Sequence, residues 1–400
     1  RPRRAGRFDA VAARYGLDKV LSFDMGGPPA KICLIQNQTP KTSRVFEVAR
    51  TYRFKKGSGM PISIPVIDMV EIGAGGGSLA HVDALRQIRV GPESAGSEPG
   101  PACYGRGGDR PAVTDADLLL GKLDPENFAG GSIPLRAERS ESALQHHLGD
   151  TLEMDATTAA FGLAEVVDEN MANAARVHAV ENGEDLAEYT MIAFGGAAPL
   201  HAGRLCEKLG VDRLLVPAGA GVGSAIGFLR APFSFEANRS VYMKLSDFDA
   251  PRIRALLADL KAEATGFVRS CDAKRDILSE FKVYMRYTGQ GWEIPIILDE
   301  AQAMAPEAES FRQLFEADYT RLFGRTVAGL DIEITVWSVN ATTPPDEVSA
   351  VTGTDGTGPA PITQTRAMVD PASAAMVPTS VVVRAQMAPR GEPALGTMLD

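Results

Sequence analysis

Short apolar and β-branched runs separated by turn residues dominate the first 72 residues of the chain. The runs KVLSFDM, KICLIQN, SRVFEVAR and ISIPVIDMVEI are each typical of a strand, and their close succession predicts an antiparallel meander. A glycine-rich stretch follows from Gly73 to Gly108, with few periodic apolar positions. An irregular segment of that length inside a domain is typical of a functional site or a linker.

Helical patterns take over from about Thr114 to Gly210. The stretch TDADLLLGKL carries acids in its first turn, and the segment from Asp155 to Gly183 predicts one long helix rich in small residues. Next, YTMIAFGGAAPLHAGRLCEKLG predicts a strand, a Gly-Gly turn and a helix, and DRLLVP predicts a further strand. This order requires a pair of parallel strands.

The remaining sequence predicts a second, separate unit and a tail. Residues 240 to 345 predict an α+β arrangement, with helices near 249–270 and 308–323 and a last strand at DIEITVWSVNAT. After Thr343, Pro, Thr, Gly and Ala predominate, which predicts a linker with one strand at SVVVRAQM. We therefore expect a core over 1–235, an α+β domain over 236–345, and a linker with a truncated C-terminal segment over 346–400.

Charge and composition exclude several classes of protein. The net charge of -10, with no basic run beyond the opening RPRR, argues against nucleic acid as the main partner. No apolar segment approaches the roughly 20 residues that span a bilayer, and no signal-peptide core is present, so we expect no membrane partner and a cytoplasmic protein. The four cysteines show no CxxC spacing, which predicts buried thiols. Both ends read as cut, which predicts a fragment.

The first candidate site is the stretch SFDMGGPPAKICLI, residues 22–35. In strand-hairpin-strand nucleotide sites an acid such as Asp24 positions Mg²⁺ or water, and glycines such as Gly26 and Gly27 let the backbone approach phosphates. A plain β-turn explains the pattern equally well. Pro28 and Pro29 supply neither a backbone N–H nor a hydroxyl, whereas Lys31 supplies a cation if its side chain points toward the tip.

Two further glycine motifs carry candidate residues. In AFGGAAPLHA, a strand ending at Gly195 and Gly196 runs into a helix from Ala197, where backbone N–H groups and the helix dipole favour a phosphate. His201 follows on that helix, and a lone histidine is more often structural. In IDMVEIGAGGGSLAHVD a metal or substrate loop and a purely structural loop are equally compatible with the residues; its candidates are Asp68, Glu71, Gly75, Gly76, Gly77 and Ser78.

Cys103 is a further candidate because it stands beside Tyr104 and Arg106 in a glycine-rich loop. A nearby cation can lower a thiol pKa and make the cysteine reactive. The loop contains no histidine to act as a base, so a structural thiol is the favoured interpretation.

Together these stretches resemble the hydantoinase A / 5-oxoprolinase family, which includes N-methylhydantoinases, 5-oxoprolinase, caprolactamase and the acetone and acetophenone carboxylase subunits. The resemblance covers about residues 18 to 235, and RYTGQGWEI and DIEITVWSVNAT extend it more weakly toward the C-terminus. The motifs that carry it are FDMGG, EIGAGGGSLAHVD, RVGPESAGSEPGPACYGRGG, PAVTDADLLLGKL, ENMANAARVHAVENG and MIAFGGAAPLHA.

The resemblance implies an α/β fold of the actin, heat-shock chaperone and sugar kinase type (ribonuclease H-like), of which this chain carries the second half and a C-terminal α+β domain. It implies ATP and Mg²⁺ as cofactors, with Asp24 catalytic and metal-binding, and a nucleotide contacted by Gly26, Gly27, Lys31, Gly195, Gly196, Ala197 and His201. The family hairpin usually continues with Thr or Ser after Gly-Gly, whereas this chain has Pro28 and Pro29.

The activity implied is ATP-dependent opening of a cyclic amide such as a hydantoin, 5-oxoproline or a lactam, through phosphorylation of its carbonyl. The partner implied is a separate hydantoinase B-like subunit in a hetero-oligomer. An ATP-dependent ketone carboxylase subunit acting on an acetone-type or acetophenone-type substrate is a second hypothesis. A non-catalytic scaffold with a nucleotide-binding fold is a third, motivated by the two prolines and by the missing first half.

Overall fold

The computed structural model describes residues 6–27, 29–49, 51, 58–344, 362–382 and 397–399, and the chain divides into two compact units. The first unit contains residues 1–229 together with 348–400, and the second contains residues 230–347. The first stretch of this unit ends at residue 229, whereas the sequence predicted a core over 1–235.

A mixed sheet forms the centre of the first unit. The strands up to residue 229 are β1 (Lys19–Met25), β2 (Ala30–Gln36), β3 (Thr39–Pro40), β4 (Thr42–Val48), β5 (Met60–Ile67), β6 (Met69–Ile72), β7 (Ser78–Val82), β8 (Ile88–Ser94), β9 (Thr190–Phe194) and β10 (Arg213–Leu215). The main sheet has the order β10-β9-β1-β2-β3, and β6 also pairs with β2. β1 is antiparallel to β2 and parallel to β9.

Two predictions about these strands are confirmed and two are partly wrong. The β1–β2 hairpin is present, and β9 and β10 are parallel as their connection through a helix requires. The antiparallel meander is incomplete, because β4 and β5 pair only with each other in a separate ribbon. The glycine-rich stretch is not irregular throughout, because β7 and β8 form an antiparallel pair within it.

Helices cover the sheet of the first unit. They are α1 (Gly6–Tyr15), α2 (Val113–Leu119), α3 (Ala137–Leu144), α4 (Asp150–Leu152), α5 (Ala156–Glu181), α6 (Ala198–Leu209) and α7 (Gly223–Arg230), with a π-helical turn at Gln145–Gly149 and short 3₁₀ turns at Ala102–Tyr104, Leu186–Glu188 and Ala220–Val222. The long predicted helix is α5, which starts after Asp155, whose side chain accepts the Thr158 N–H as an N-cap. No helix among the described residues is long and apolar enough to cross a membrane.

Alternation along β1 separates two cores on opposite faces of the sheet. Leu21, Phe23 and Met25 lie in the larger core, which includes much of α5. Val20 lies in the smaller core on the other face. Because successive strand side chains point to opposite faces, Asp24 shares the face of Val20. The candidate site lies on this face, at the end of β1 that leads into the hairpin loop.

The second unit is an α+β structure. Its strands are β11 (Ser234–Arg239), β12 (Met243–Lys244), β13 (Leu278–Tyr287), β14 (Ile294–Leu298) and β15 (Ile332–Thr342), and its helices are α8 (Ala250–Cys271), α9 (Glu300–Met304) and α10 (Ala308–Phe323), with a 3₁₀ turn at Leu245–Asp247. The antiparallel sheet has the order β11-β15-β13-β14. Trp337, Phe311 and Phe315 are buried in its core.

The predicted C-terminal linker is partly wrong, because it contains strands β16 (Ile362–Val369), β17 (Met376–Val382) and β18 (Thr397–Leu399). The Val369 N–H donates to the Leu120 carbonyl at 3.0 Å, which ties β16 to the end of α2. The predicted strand SVVVRAQM coincides with β17 at residues 380–382, and the rest of it lies outside the described residues. β16 was missed because the apolar residues of ITQTRAMV do not alternate with polar ones.

We predict that Val369→Ala lowers the free energy of unfolding of the protein by about 1–3 kcal/mol, because Val369 is 3% exposed and packs in the larger core of the first unit. Ile362→Ala on the same strand is the matched control, since Ile362 is 63% exposed. Urea unfolding of both variants measures the difference. Equal losses would show that β16 does not pack against that core.

Candidate functional site

The tip of the β1–β2 hairpin is the centre of the candidate site. Asp24 pairs with Lys31 and Met25 with Ala30, which leaves residues 26–29 as the connecting loop. A Cβ added at Gly26 or Gly27 would have no heavy atom within 4 Å, so open space adjoins the tip. Pro29 is partly buried, and Pro28 lies outside the described residues.

Three carbonyl groups at this tip accept hydrogen bonds from the two other glycine motifs. The Ala197 N–H donates to the Met25 carbonyl at 3.0 Å. The Gly76 N–H donates to the Gly26 carbonyl at 3.0 Å, and the Gly77 N–H donates to the Gly27 carbonyl at 2.9 Å. The structure therefore brings together the three motifs that the sequence singled out, although the bonded residues Met25 and Ala197 lie 172 positions apart in the chain.

Gly195 makes the close approach of β9 and β1 possible. Its φ is +95°, and a Cβ there would lie 2.2 Å from the Met25 carbonyl oxygen and 2.8 Å from the Asp24 Oδ1. No other residue type fits that space without moving the backbone. By contrast, Gly196 is exposed and has open space around it, directly before the N-cap residue Ala197 of α6.

A fourth segment, residues 220–224, completes the surroundings of Asp24. The Ser224 hydroxyl donates to the Asp24 Oδ2 at 3.2 Å, and the Gly195 N–H donates to the Ala220 carbonyl at 3.0 Å. Gly223 lies against the Phe194 ring, where a Cβ would come within 2.6 Å. Sequence reasoning missed this segment, although GAGVGS repeats the glycine-rich pattern of the other loops.

Asp24, Lys31 and Glu71 form a polar row across three strands. Lys31 on β2 is the register partner both of Asp24 on β1 and of Glu71 on β6, so the three side chains share one face of the sheet. The Lys31 Nζ lies 2.8 Å from the Glu71 Oε1. The direction of the Lys31 side chain is thereby settled, and Glu71 is engaged in an ion pair.

The glycine loop at residues 75–78 is held from below by α2. Thr114 donates to the Gly76 carbonyl from both its N–H and its hydroxyl, each at 2.8 Å. The Ser78 Oγ accepts the Gly75 N–H at 2.8 Å, and Ser78 is buried. Ser78 thus shapes the loop, and its hydroxyl does not face solvent.

Asp68 does not join the loop. It precedes β6, whose Met69 pairs with Cys33 and whose Ile72 pairs with Ala30 at the hairpin end. Asp68 therefore lies at the far end of β6 from the glycine loop, where its N–H donates to the Lys41 carbonyl. The structure does not bring it near Asp24.

His201 is buried away from solvent and serves a charged network among helices. Its Nδ1 lies 2.7 Å from Asp168 Oδ1 and its Nε2 lies 3.1 Å from Asp117 Oδ2, and Lys122 Nζ lies 3.1 Å from the other Asp117 oxygen. With no exposed surface and both ring nitrogens engaged, His201 makes no contact available to a nucleotide in this structure. The network joins α2, α5 and α6.

Opposing effects set the pKa values in this network. Burial alone lowers the pKa of His201, but the Asp117 and Asp168 carboxylates outweigh burial and the nearby Lys122, and they raise it to about 9. Burial likewise opposes ionisation of Asp117, yet His201 and Lys122 hold the pKa of that carboxyl well below its ordinary value. Asp117, Lys122 and His201 are therefore charged at neutral pH. The formal charges of the two carboxylates offset those of the lysine and the histidine.

The favoured interpretation of Cys103 as a structural thiol is confirmed. Cys103 is buried, and burial followed by the Asp115 carboxylate raises the pKa of its thiol. Asp115 accepts the N–H groups of Ala102, Cys103 and Ala112 at 2.8–3.1 Å and the Ser140 hydroxyl at 2.8 Å. This carboxylate fixes the glycine-rich loop to the start of α2, and Cys103 fills space beneath it.

Comparison with known proteins assigns the chain to a family. Residues 5–237, which carry the hairpin and all the glycine loops, match the family described as Hydantoinase/oxoprolinase. The chain belongs to the hydantoinase/oxoprolinase family. It is 32% identical to the caprolactamase subunit alpha of Pseudomonas jessenii over 315 residues, covering 77% of this chain and 44% of that protein.

Solved structures show the same fold for this family member. One is the nucleotide-free structure of acetone carboxylase, from a study of the mechanism of ATP-dependent acetone carboxylation. Its TM-score with this chain is 0.80 at 22% identity, and the match covers 99% of this chain and 57% of the acetone carboxylase chain. The ATP-dependent caprolactamase from Pseudomonas jessenii has a TM-score of 0.71 at 27% identity and covers 96% and 55%. The chain therefore spans about half the length of the relatives it matches.

A magnesium ion at this site would have one carboxylate ligand, that of Asp24. Among the residues described, no group of three or more His, Cys, Asp or Glu side chains is arranged to hold a metal. Mg²⁺ in nucleotide sites usually takes only one or two carboxylates, with phosphate oxygens and water completing the shell. Asp24, beside the Ser224 hydroxyl, fits that limited role.

We predict that Gly195→Ala lowers the free energy of unfolding by about 2–4 kcal/mol, because its Cβ must displace the Met25 carbonyl or the Asp24 side chain. Gly203→Ala is the control: Gly203 lies within α6 with open space around it. Alanine there is expected to stabilise the protein by about 0.5–1 kcal/mol. Effects of the same sign in both variants would contradict the close approach at Gly195.

The His201 network predicts a pH-dependent stability. Because the pKa of His201 is raised from 6.5 to about 9, its contribution is fully present below pH 6.5 and is lost as the pH rises through about 9. The loss amounts to at most about 3 kcal/mol. Urea unfolding of the wild type and of His201→Gln between these pH values measures it, and parallel curves for the two proteins would contradict a charged His201.

Proposed function

We propose that this chain is the nucleotide-binding part of an ATP-dependent cyclic amidohydrolase, a subunit that opens a hydantoin, 5-oxoproline or lactam ring. The observation that carries the proposal is the convergence of Asp24, the Gly195–Ala197 turn and the Gly75–Gly77 loop on one hairpin. The family description and the names of caprolactamase relatives support the substrate class. The match covers 44% of the caprolactamase subunit alpha, so the activity of the whole protein is itself part of the proposal.

We further propose that the first unit is the second half of an actin-like ATPase fold. Its mixed sheet supports this, because the antiparallel β1–β2 hairpin lies beside two parallel strands. β9 runs parallel to β1, and β10 runs parallel to β9. In such folds the tip of the hairpin lies along the phosphates of the nucleotide, and a matching hairpin from the first half covers them. That first half would be supplied by another part of the protein.

In this proposal, each residue at the hairpin has its own role. Gly26 and Gly27 let the backbone approach the phosphates, and the N-terminus of α6 at Ala197 and Ala198 turns its positive end toward them. Lys31 offsets phosphate charge, and Asp24 holds Mg²⁺. Gly195 and Gly196 allow the turn to pass beside the nucleotide, while His201 acts from the buried layer as a support for α6.

Bound ATP would supply the phosphoryl group that turns the inert amide oxygen of the ring into a leaving group. Amides resist attack by water, and a phosphate ester on that oxygen makes the carbon electrophilic. This chain's part is to hold the polyphosphate in line and to neutralise its developing charge. A separate hydantoinase B-like subunit would complete the hydrolysis in a hetero-oligomer, which the subunit name of the caprolactamase relative supports.

The test is ATP-dependent phosphate release by the full-length protein together with its partner subunit. Hydantoin, 5-oxoproline and caprolactam are the expected stimulants, with acetone plus bicarbonate as the comparison. Asp24→Asn is expected to reduce turnover by at least about 100-fold. Asp259→Asn is the control, because Asp259 is exposed on α8 in the second unit.

Three results would contradict the proposal in different ways. Stimulation by acetone and bicarbonate alone would identify a carboxylase. Full activity of Asp24→Asn would remove the hairpin from the mechanism. Calorimetry that detects no binding of Mg·ATP to the complete assembly would favour a non-catalytic scaffold.

A further inference from the structure

We propose that Glu71 determines the nucleotide form that this site accepts: as the counter-ion of Lys31, it makes binding of a polyphosphate depend on an accompanying divalent cation. The proposal rests on the ATP site proposed above and goes beyond it. It assigns Glu71 a role as a specificity determinant and not as a metal ligand.

The placement of Glu71 carries the first step. Backbone pairing puts Asp24, Lys31 and Glu71 side by side on three adjacent strands, at the end of the sheet face next to the hairpin tip. The Lys31 ammonium and the Glu71 carboxylate are in contact at 2.8 Å. Any anion that reaches Lys31 from the tip must therefore compete with a carboxylate that is already bound to it.

The charges of Asp24, Lys31 and Glu71 decide which form of a polyphosphate is attracted to the row. The row holds two carboxylates and one ammonium, and the ammonium contacts Glu71, so the formal charges of these three side chains sum to minus one. A metal-free triphosphate, which is itself strongly negative, would be repelled by this row. A divalent cation beside Asp24 reverses the balance, and the phosphate charge then meets a positive site.

The exposure of the pair carries the third step. The Lys31 side chain is 19% exposed and is confined by its neighbours, whereas the Glu71 side chain is 54% exposed. Ion pairs with one partner in solvent are weak and open readily. Glu71 can therefore turn into solvent when a cation-bound phosphate takes its place, while Lys31 stays on the row.

A metal ligand in the position of Glu71 would have a different environment. Its oxygen atoms would face Asp24 or another acid, as cations such as Mg²⁺ require oxygen donors around them. Here a lysine stands between the two carboxylates in the register of the strands. An ammonium at that point disfavours a shared cation and favours a counter-ion role.

The test compares the binding of Mg·ATP and of ATP in excess EDTA by calorimetry, using the full-length protein. We expect Glu71→Gln to bind metal-free ATP at least about tenfold more tightly than the wild type, with a smaller change for Mg·ATP. In a Lys31→Met background the same substitution should change metal-free binding by less than about threefold. Thermal unfolding of each variant checks that the fold is intact.

Glu93→Gln is the matched control, because Glu93 is also an exposed acid on a strand of the first unit and pairs with Arg110 at 2.8 Å. It should leave both affinities at the wild-type values. A Glu71→Gln protein that behaves like the control overturns the inference, as does one that loses Mg·ATP affinity, which would identify a metal ligand.

The two proposals fail in distinguishable ways. If the wild type binds Mg·ATP and Glu71→Gln does not gain affinity for metal-free ATP, only the role of Glu71 is wrong. If the wild type binds neither form, the ATP site itself is wrong, and the role of Glu71 falls with it.

Discussion

The candidate site depends on backbone hydrogen bonds to the tip of one hairpin. The carbonyls of Met25, Gly26 and Gly27 are each held by an N–H from another loop, and no side chain at the tip takes part in these bonds. The bonds that position the tip thus do not involve the side chains that would contact a ligand. Side-chain substitutions at the tip therefore leave these backbone bonds in place.

Helix α2 supports that arrangement with successive polar side chains that point to different partners. Thr114 holds the glycine loop at Gly76, and Asp115 holds the loop that contains Cys103. Asp117 reaches His201 on α6. Each of these groups is buried and hydrogen-bonded, as buried polar groups must be. One short helix therefore fixes both loops and the helix whose N-terminus adjoins the hairpin.

Sequence patterns predicted the parts of this structure that depend on local periodicity. The β1–β2 hairpin, α5, the β9-α6-β10 unit and the α+β unit each have a strong apolar rhythm. Their patterns could not show Ser224 beside Asp24, because the two are 200 residues apart. They also missed the role of His201, since its partners Asp117 and Asp168 lie 84 and 33 residues away. Glycine motifs identified the loops, but only tertiary contacts separated the residues at the tip, such as Gly195, from those at a distance, such as Asp68.

The buried network of Asp117, Lys122, Asp168 and His201 also has a consequence for how the family can diverge. The four groups balance in charge, and removal of any one leaves an uncompensated charge in the interior, which is strongly destabilising. Replacement of all four by apolar residues of similar volume carries no such cost. Inheritance at these positions is therefore expected to be joint: lineages keep the complete set or lose it together, and intermediates with one member missing are selected against.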